Sequence, residues 1–226
     1  MNPERSTTEW QDLGMVRYED AWRLQERLRE ARLAGKVGNR MLMLQHPPVI
    51  TLGRRGIAAD VLTSEQELAR QGIELFVTNR GGRAAYHGPG QIVCYFIFDL
   101  GSMGLGVRQF VRAIETLLME ALAGFCIVGA LDEANPGIWV GREKIAAIGL
   151  NVSHGVTQHG FALNVNCDLE PYRHIVACGI SDRGVTTMER LLGRTVDTTS
   201  LKRAIASAAG RAFDCDMKES AETSPM

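Results

Sequence analysis

Residues 92–100 read Ile-Val-Cys-Tyr-Phe-Ile-Phe-Asp-Leu, a nearly continuous apolar run that is rich in β-branched and aromatic side chains. Such a run predicts a central strand that is buried on both faces. Further along, apolar side chains recur at helical spacing over residues 107–121, which predicts a long helix packed on the same sheet. We therefore expect the core of the fold to be built around this strand and this helix.

Further elements are predicted on both sides of this core. An amphipathic helix is expected over residues 18–34, where apolar residues recur every three or four positions until Gly35. The other candidates are strands at 41–44, 49–52, 126–128, 137–140, 144–152 and 161–165, and helices at 64–72, 188–192 and 201–213. Because several strands follow one another with the helices set apart, the pattern predicts an α+β fold.

The composition favours a soluble protein with one large domain. The 226 residues are 45% hydrophobic and carry a net charge of -1, and no Pro/Ser-rich linker or charge block divides them. We expect no nucleic-acid surface, no membrane span and no signal sequence. Five cysteines at irregular spacing argue against a disulfide framework, so a cytoplasmic location is expected. Residues 1–217 are predicted to form the domain, and the polar segment 218–226 a disordered tail.

The segment just before the central strand has the composition of a binding site. Residues 80–91 include four glycines, a proline, two arginines and a histidine, and residues 75–98 contain no Asp or Glu. Clustered glycines predict backbone that turns sharply or lies close to a ligand, although a plain connection before a strand is the alternative. Any acid that pairs with Arg80 or Arg83 has to come from elsewhere in the fold or from a ligand. Neither of the common glycine-rich phosphate-binding motifs occurs in the chain.

Cys178 is the strongest candidate for a nucleophile. Cys94 and Cys126 follow apolar residues and are expected in the core, while Cys167 precedes Asp168, whose charge disfavours a thiolate. Cys178 stands where an apolar segment meets a glycine, which is a position at a strand end that faces a pocket. A buried structural cysteine is the alternative.

A reactive cysteine, whose free pKa is about 8.5, needs a cation or a base beside it. Lys144 is the preferred partner because it introduces the nearly uncharged run 145–152, and His87, His154 and His159 are the other candidates. In a shared pocket the ammonium would favour the thiolate, and desolvation would adapt the lysine to proton transfer. A solvated lysine at the start of a strand is the alternative.

A zinc site is a rival use of the cysteines. Cys167, His174 and Cys178 are spaced as Cys-x6-His-x3-Cys. This spacing lacks a fourth ligand at a familiar interval, so the sequence does not favour a metal centre.

Six motifs, in order along the chain, resemble those of the lipoyl (octanoyl) transferases of protein lipoylation. They are Arg80-Gly81-Gly82, Tyr86-His87-Gly88-Pro89-Gly90-Gln91, Asn135-Pro136-Gly137, Lys144-Ile145-Ala146-Ala147-Ile148-Gly149, His159-Gly160-Phe161-Ala162-Leu163-Asn164-Val165-Asn166 and Cys178-Gly179-Ile180. The segments 45–48 and 51–55 agree as well, and the resemblance covers residues 18–193.

The resemblance implies a large mixed or antiparallel sheet flanked by helices in a single domain, similar to the fold of the biotin and lipoate protein ligases. It also implies transfer of an octanoyl group from octanoyl-acyl carrier protein to a specific lysine of lipoyl domains, through a thioester on a cysteine. The implied acceptors are the lipoyl domains of 2-oxoacid dehydrogenases and the glycine cleavage H protein. The implied reaction needs no ATP, no cofactor and no metal.

The motifs also assign residue roles by resemblance. Cys178 matches the acylated cysteine, and Lys144 matches the lysine that tunes it. Backbone amides after Cys178, such as Gly179 N–H, are candidates for binding the tetrahedral oxyanion. The stretches that match the acyl pocket are Arg80, Gly81, Gly82, Arg83, Ala84, Ala85, Tyr86 and His87, then Ala147, Ile148 and Gly149, then Gly160, Phe161 and Ala162.

Three positions depart from the family pattern: Ala85 stands where threonine is usual, and Phe96 and Ala177 stand where proline is common. Ala85 removes a hydroxyl near the implied pocket, whereas none of the three changes removes the nucleophile. Arg54, Arg55 and the arginine-rich first helix are candidates for docking an acidic carrier protein. Two other functions stay open, an ATP-dependent lipoate or biotin-type ligase and a non-catalytic acyl or lipoyl-domain binder.

Overall fold

The computed structural model describes residues 5–179 and 183–220, in which strands and helices alternate irregularly. The strands are β1 (Ser6–Met15), β2 (Arg40–Gln45), β3 (Val49–Leu52), β4 (Glu74–Val77), β5 (Ala84–His87), β6 (Gln91–Ile97), β7 (Ala130–Leu131), β8 (Gly137–Val140), β9 (Glu143–Ser153), β10 (Val156–Asn164), β11 (Gly184–Val185) and β12 (Cys215–Glu219). The helices are α1 (Tyr18–Leu33), α2 (Glu65–Arg70), α3 (Val107–Ala123), α4 (Met188–Leu192) and α5 (Thr198–Ala212), with 3-10 turns at Ala58–Asp60 and Glu170–His174.

The strands form one large and one small sheet. The large sheet has the order β12-β1-β2-β6-β10-β9-β8-β7, and β11 pairs with β9. Its β1 is parallel to both β12 and β2, whereas β2, β6, β10, β9 and β8 are joined by antiparallel pairings. The small sheet has the order β4-β3-β5. The predicted α+β fold with a large mixed sheet flanked by helices is therefore confirmed.

The predicted central strand is β6, and every one of its residues is buried. Phe96 packs with Phe110 of α3 and with Phe213 after α5, at ring-centroid distances of 5.7 and 5.6 Å. The neighbouring side chains Val93 and Tyr95 belong to a separate apolar cluster together with residues of α1. Because helices cover both faces, this strand carries the continuous apolar run that stands out in the sequence.

Two sequence-based predictions near the middle of the chain are wrong. Residues 126–128 do not form a strand, and Cys126 is exposed, not part of the core. The chain turns sharply after α3, with Cys126 at a positive φ of 60° and Val128 86% exposed. Ile127 between them is buried in the main core, so this short apolar run reads like a strand in the sequence but forms a turn that buries one side chain.

The two ends of the described chain pair with each other. Strand β1 has few apolar residues and was not among the predicted strands, yet β12 and β2 flank it. Lys218 and Glu219, at the start of the predicted tail, pair with Glu9 and Trp10. The remainder of that tail, residues 221–226, lies outside the described residues.

The hairpin of β9 and β10 sets one wall of the site. In its antiparallel register Ala147 lies opposite Ala162, Ile148 opposite Phe161, and Gly149 opposite Gly160. Two stretches that are separate in the sequence thus become a single paired surface. The small sheet contributes β5 on the other side, and the 3-10 turn at Glu170–His174 leads the chain to Cys178.

Candidate active site

Lys144 and Cys178 are in contact. The Nζ atom of Lys144 lies 3.8 Å from Sγ of Cys178, donates a hydrogen bond of 3.1 Å to the carbonyl of Pro136, and lies 4.8 Å from the ring centre of Trp139. Lys144 is buried, whereas Cys178 is half-buried. Reactive cysteines in general need a cation or a base beside the sulfur, and this contact supplies a lysine nitrogen there.

The backbone at Cys178 has a left-handed conformation, with φ at 55°. For a residue with a side chain this conformation costs roughly 1–2 kcal/mol, so surrounding contacts must hold it in place. The Cys178 amide donates to the carbonyl of Ala84 at 2.9 Å, and the Gly179 amide donates to the carbonyl of Val176 at 3.0 Å. The predicted role of Gly179 N–H as an oxyanion donor is therefore not supported, because this amide is already paired. Ile180, which completes the motif, lies outside the described residues.

Two adjoining cavities meet at Cys178. The cavity that includes Lys144, Trp139 and Tyr172, here named the Trp139 cavity, has about 500 Å³ of empty space when its solvent-open mouth is counted. The other, named the Arg80 cavity, includes Tyr18, Arg80 and Val93 and has about 490 Å³ of empty space, counted in the same way. The residues that line both are Ala85, His87, Ala147, Ala162 and Cys178.

Every residue predicted to line an acyl pocket borders one of these cavities. The Trp139 cavity adds Ala84 and Tyr86 to the shared residues. The Arg80 cavity adds Arg80, Gly81, Gly82, Arg83, Ile148, Gly149, Gly160 and Phe161. The fold thus brings together three stretches that are far apart in the sequence, while their role in binding a substrate stays a prediction.

Arg80 is a buried cation that forms no ion pair within the described part of the chain. Its guanidinium donates to the backbone carbonyl and the hydroxyl of Thr51, each at 2.7 Å, and to the carbonyl of Gly81 at 3.0 Å. Burial lowers the pKa of this guanidinium. A Cβ atom added at Gly53 would lie 2.8 Å from Nη1 of Arg80. Gly53 therefore makes room for the Arg80 side chain, which is a different role from the close approach to a ligand that clustered glycines predict.

Two buried histidines, His87 and His159, lie near Arg80, and a third buried histidine, His46, packs against the ring of His87. Desolvation lowers the pKa of His46 to about 4, and that of His87 and of His159 to about 3, so all three are neutral. Nδ1 of His87 lies 2.7 Å from Oε1 of Gln91, whose amide nitrogen donates to Asn164 Oδ1 at 2.9 Å. This pairing makes Nδ1 the protonated nitrogen of His87.

The other predicted partners of Cys178 take different places. His87 and His159 line the cavities, whereas His154 is exposed in the turn after β9 and lines neither of them. Lys144 is the predicted partner whose polar group contacts the sulfur of Cys178. The preference for Lys144 over the histidines is therefore supported by the geometry.

The zinc arrangement is not formed. Over residues 5–179 and 183–220, no three side chains of His, Cys, Asp or Glu are grouped closely enough to hold a metal ion. His174 contacts Thr63 Oγ1 at 2.7 Å and Gln71 Oε1 at 3.0 Å instead. Burial raises the pKa of the Cys167 thiol to about 12, which disfavours the thiolate that a metal would need.

Several residues of the site were not among the predicted ones. Trp139, Asn164 and Tyr172 all line the Trp139 cavity. Asn164 lies inside one of the motifs, and Trp139 comes shortly after another. Their closeness to the motifs could have marked them as candidate site residues. Tyr172 and the buried Asp60, which pairs with Arg83, lie in none of the six motifs, so the sequence gives no signal for them.

Solved structures of lipoate and biotin protein ligases share this fold. Lipoate-protein ligase A bound with ATP matches with a TM-score of 0.74 and 15% identity, over 98% of this chain and 90% of that one. A bi-partite lipoate protein ligase from Thermoplasma acidophilum gives 0.74 and 16% identity, over 98% and 88% of the two chains. Biotin protein ligase from Aquifex aeolicus gives 0.54 and 13% identity, over 92% and 69%. The predicted similarity to this fold is confirmed.

Relatives with similar sequences identify the family within the proteins that share this fold. The lipoyl protein ligase A/B catalytic domain pattern matches residues 17–210, so the fold and the site define a catalytic domain of this class. The octanoyltransferase of Caldicellulosiruptor saccharolyticus is 46% identical over 203 residues, which cover 89% of this chain and 86% of that protein. That of Alkaliphilus metalliredigens is 42% identical over 212 residues, covering 93% and 97%. The chain belongs to the octanoyltransferase family of acyltransferase enzymes.

None of the helices in the described ranges is both long and apolar enough to cross a bilayer.

Proposed function

We propose that the enzyme transfers an octanoyl group from octanoyl-acyl carrier protein to a specific lysine of a lipoyl domain, through a thioester on Cys178. The acceptors would be the lipoyl domains of 2-oxoacid dehydrogenases and the glycine cleavage H protein. The observation that carries this proposal is the 3.8 Å contact between Lys144 Nζ and Cys178 Sγ at the junction of two cavities.

In the first step, the Cys178 thiolate attacks the carbonyl carbon of the donor thioester. A new carbon–sulfur bond forms to Cys178, the bond to the donor sulfur breaks, and the leaving thiolate takes a proton from the Lys144 ammonium. One thioester replaces another, so this step is nearly isoenergetic. It ends with an acylated Cys178 beside a neutral Lys144.

In the second step, the amine of the acceptor lysine attacks the acyl-enzyme. A carbon–nitrogen bond forms, the bond to the Cys178 sulfur breaks, and neutral Lys144 takes the proton that the amine loses. The thiolate and the ammonium are then restored. Because an amide replaces a thioester, this step drives the reaction forward without ATP.

Two groups must reach the Cys178 sulfur, the octanoyl chain and the donor or acceptor that exchanges it, and each can be assigned to one cavity. The Arg80 cavity is lined by apolar side chains that include Val93, Ile148 and Phe161, so we assign it to the octanoyl chain. The Trp139 cavity contains Lys144. We assign this cavity to the thioester end of the donor in the first step and to the acceptor lysine in the second step. Under this assignment the predicted pocket residues other than Ala84 and Tyr86 hold the chain, while the thioester carbonyl on Cys178 faces the Trp139 cavity.

An ATP-dependent ligase reaction is the second candidate, because a structural neighbour is a lipoate-protein ligase bound with ATP. That likeness, at 15% identity, concerns the fold alone. A ligase would not need a thiolate beside a buried lysine, and it would require ATP with free octanoate. A non-catalytic acyl binder would likewise have no use for the contact between Lys144 and Cys178.

Intact-mass spectrometry tests the proposal. After incubation with octanoyl-acyl carrier protein, the wild-type chain is expected to gain one octanoyl group, and Cys178→Ser is expected to gain none. Cys126→Ser, which removes an exposed cysteine outside the cavities, is the matched control and should acylate normally. The acyl-enzyme should then pass its octanoyl group to a lipoyl domain without ATP. An adduct that survives Cys178→Ser, or transfer only from free octanoate with ATP, would overturn the proposal.

A further inference from the structure

Asp60 is a buried carboxylate that holds Arg83 at two points. Nε of Arg83 donates to Oδ2 of Asp60 at 3.0 Å, and Nη2 of Arg83 donates to Oδ1. The backbone amide of Ile57 donates to the same carboxylate at 3.0 Å. Paired donors of this kind fix both the position and the plane of a guanidinium group. Arg83 thus has the acid partner that its own segment lacks.

The fixed guanidinium of Arg83 lies directly over Gly179, the residue after Cys178. A Cβ atom added at Gly179 would lie 2.5 Å from Cδ, 2.7 Å from Nη1 and 2.9 Å from Nε of Arg83. Gly179 also has a positive φ of 73°. Contact this close means that the Arg83 side chain covers the backbone of the nucleophile segment and limits its movement.

Asp60 also holds the nucleophile segment with its backbone. Its carbonyl accepts a hydrogen bond of 2.8 Å from the amide of Val176, two residues before Cys178. The next residue, Val61, forms an antiparallel bridge with Ile175. Asp60 therefore contacts the segment directly by its carbonyl, at Val176, and indirectly through Arg83, at Gly179.

These contacts bear on the conformation of Cys178. A left-handed backbone at a residue with a side chain is unfavourable by itself and persists only where neighbours determine it. We infer that Asp60 is a positioning residue for the nucleophile, which holds Cys178 against Lys144 through Arg83 and Gly179. Asp60 touches neither a cavity nor the reacting sulfur, so it acts only through these neighbours. The inference rests on the proposed role of Cys178 as the nucleophile.

The test uses Asp60→Asn, which keeps the shape of the side chain and removes its charge. The readout is the rate at which iodoacetamide alkylates Cys178 in the folded protein, followed by mass spectrometry across a range of pH. We expect the rate to fall about 10- to 100-fold, the loss typical of a misplaced reacting group. We expect the KM for the octanoyl donor to stay close to the wild-type value while kcat falls. An unchanged alkylation rate and pH profile would overturn the inference.

Asp12→Asn is the matched control, since it removes the carboxylate of another ion pair, with the buried Lys202. This variant should lose some stability and keep the wild-type alkylation rate. If both variants lose reactivity in proportion to stability, the role of Asp60 is merely structural and the inference is wrong.

A double-variant comparison keeps the inference testable if Asp60→Asn folds poorly. Arg83→Lys preserves the charge and loses the paired donors, so it should slow alkylation on its own. If Asp60 acts through Arg83, the combined variant should lose no more reactivity than the more damaging single one, whereas additive losses would contradict this route. Alkylation does not involve an acyl donor. A wild-type enzyme that alkylates readily yet never forms an octanoyl adduct would defeat the proposed function and leave the positioning role intact.

Discussion

The Lys144 nitrogen lies 3.8 Å from the Cys178 sulfur, although 34 residues separate the two in the chain. Lys144 is the second residue of β9, and Cys178 lies in the segment that runs beside β5. After that segment the chain returns as β11, which pairs with the start of β9 and places Val185 opposite Lys144. The contact thus depends on the bridge between Ala177 and Ala84 and on the pairing of β11 with β9, and not on a local motif.

Replacing Lys144 with methionine should slow acylation of Cys178 by roughly 100- to 10,000-fold, the usual contribution of a positioned proton donor or acceptor. Methionine retains the packing while removing the charge. Single-turnover mass spectrometry with the octanoyl donor measures the rate. Lys202→Met is the control, because Lys202 is equally buried but lines neither cavity. Acylation at the wild-type rate in Lys144→Met would contradict the proton-transfer role.

Replacing Trp139 with leucine should slow the same step about tenfold. The ring lies 4.8 Å from Lys144 Nζ, and a cation over an aromatic face gains about 1–2 kcal/mol when partly desolvated. Trp139→Phe keeps an aromatic face and should retain most of the rate. Equal losses in the two variants would show that the indole N–H, which donates to the carbonyl of Asn135 at 3.2 Å, matters more than the ring face.

Enlarging Ala162 should distinguish long from short acyl chains. This residue lies opposite Ala147 in the hairpin and borders both cavities. In Ala162→Leu, overpacking by about 1–3 kcal/mol should reduce acylation from an octanoyl thioester by roughly 10- to 100-fold. A butyryl thioester should react with the variant as it does with the wild type. Equal losses with both donors would contradict the assignment of the octanoyl chain to the Arg80 cavity.

The free energy of unfolding should fall in acid because of the buried histidines. The pKa of His46 is lowered from 6.5 to about 4, and those of His87 and His159 from 6.5 to about 3. Below pH 6.5 the unfolded chain binds protons at these rings and the folded chain does not, so stability falls as the pH drops towards about 4. Each histidine contributes at most about 1.4 kcal/mol per pH unit.

Denaturant titrations across this pH range measure the slope. His46→Gln should make it shallower, since one ring fewer binds protons on unfolding. His154→Gln, which replaces an imidazole ring at an exposed position, is the matched control. A slope that is the same in all three proteins would show that His46 is not buried in its neutral form.

Charge reversal at Arg54 should slow acylation by octanoyl-acyl carrier protein but not acylation by a small octanoyl thioester. Arg54 is exposed, and its backbone amide donates to the carbonyl of Arg80 at 2.9 Å, which places it at the rim of the Arg80 cavity. In Arg54→Glu, kcat/KM with octanoyl-acyl carrier protein should fall about tenfold at low salt, whereas that with an octanoyl pantetheine thioester should not change. Arg203→Glu, on an exposed position of α5, is the control. Equal effects on both donors would argue against docking at this rim.

The elements that the sequence predicted well are those with a strong local pattern. β6, α3 and α1 have the periodicity of elements that bury one or two faces, and the structure places them where this periodicity requires. β1 escaped prediction because its residues are mostly polar and its stability comes from the strands beside it. The segment 126–128 has an apolar pattern too short to distinguish a strand from a turn that buries only Ile127.

Residue chemistry and order along the chain determined which side chains were candidates: a cysteine before a glycine, a lysine before an uncharged run, and an arginine segment without acids. Only the tertiary structure decided how they pair. It brings Lys144 to Cys178, gives Arg83 the carboxylate of Asp60 and engages the Gly179 amide, while Arg80 stays without an ion pair among the described residues. The physical reason is that local sequence determines periodicity and backbone preference, whereas contacts between distant residues depend on how sheets and turns pack around a shared core.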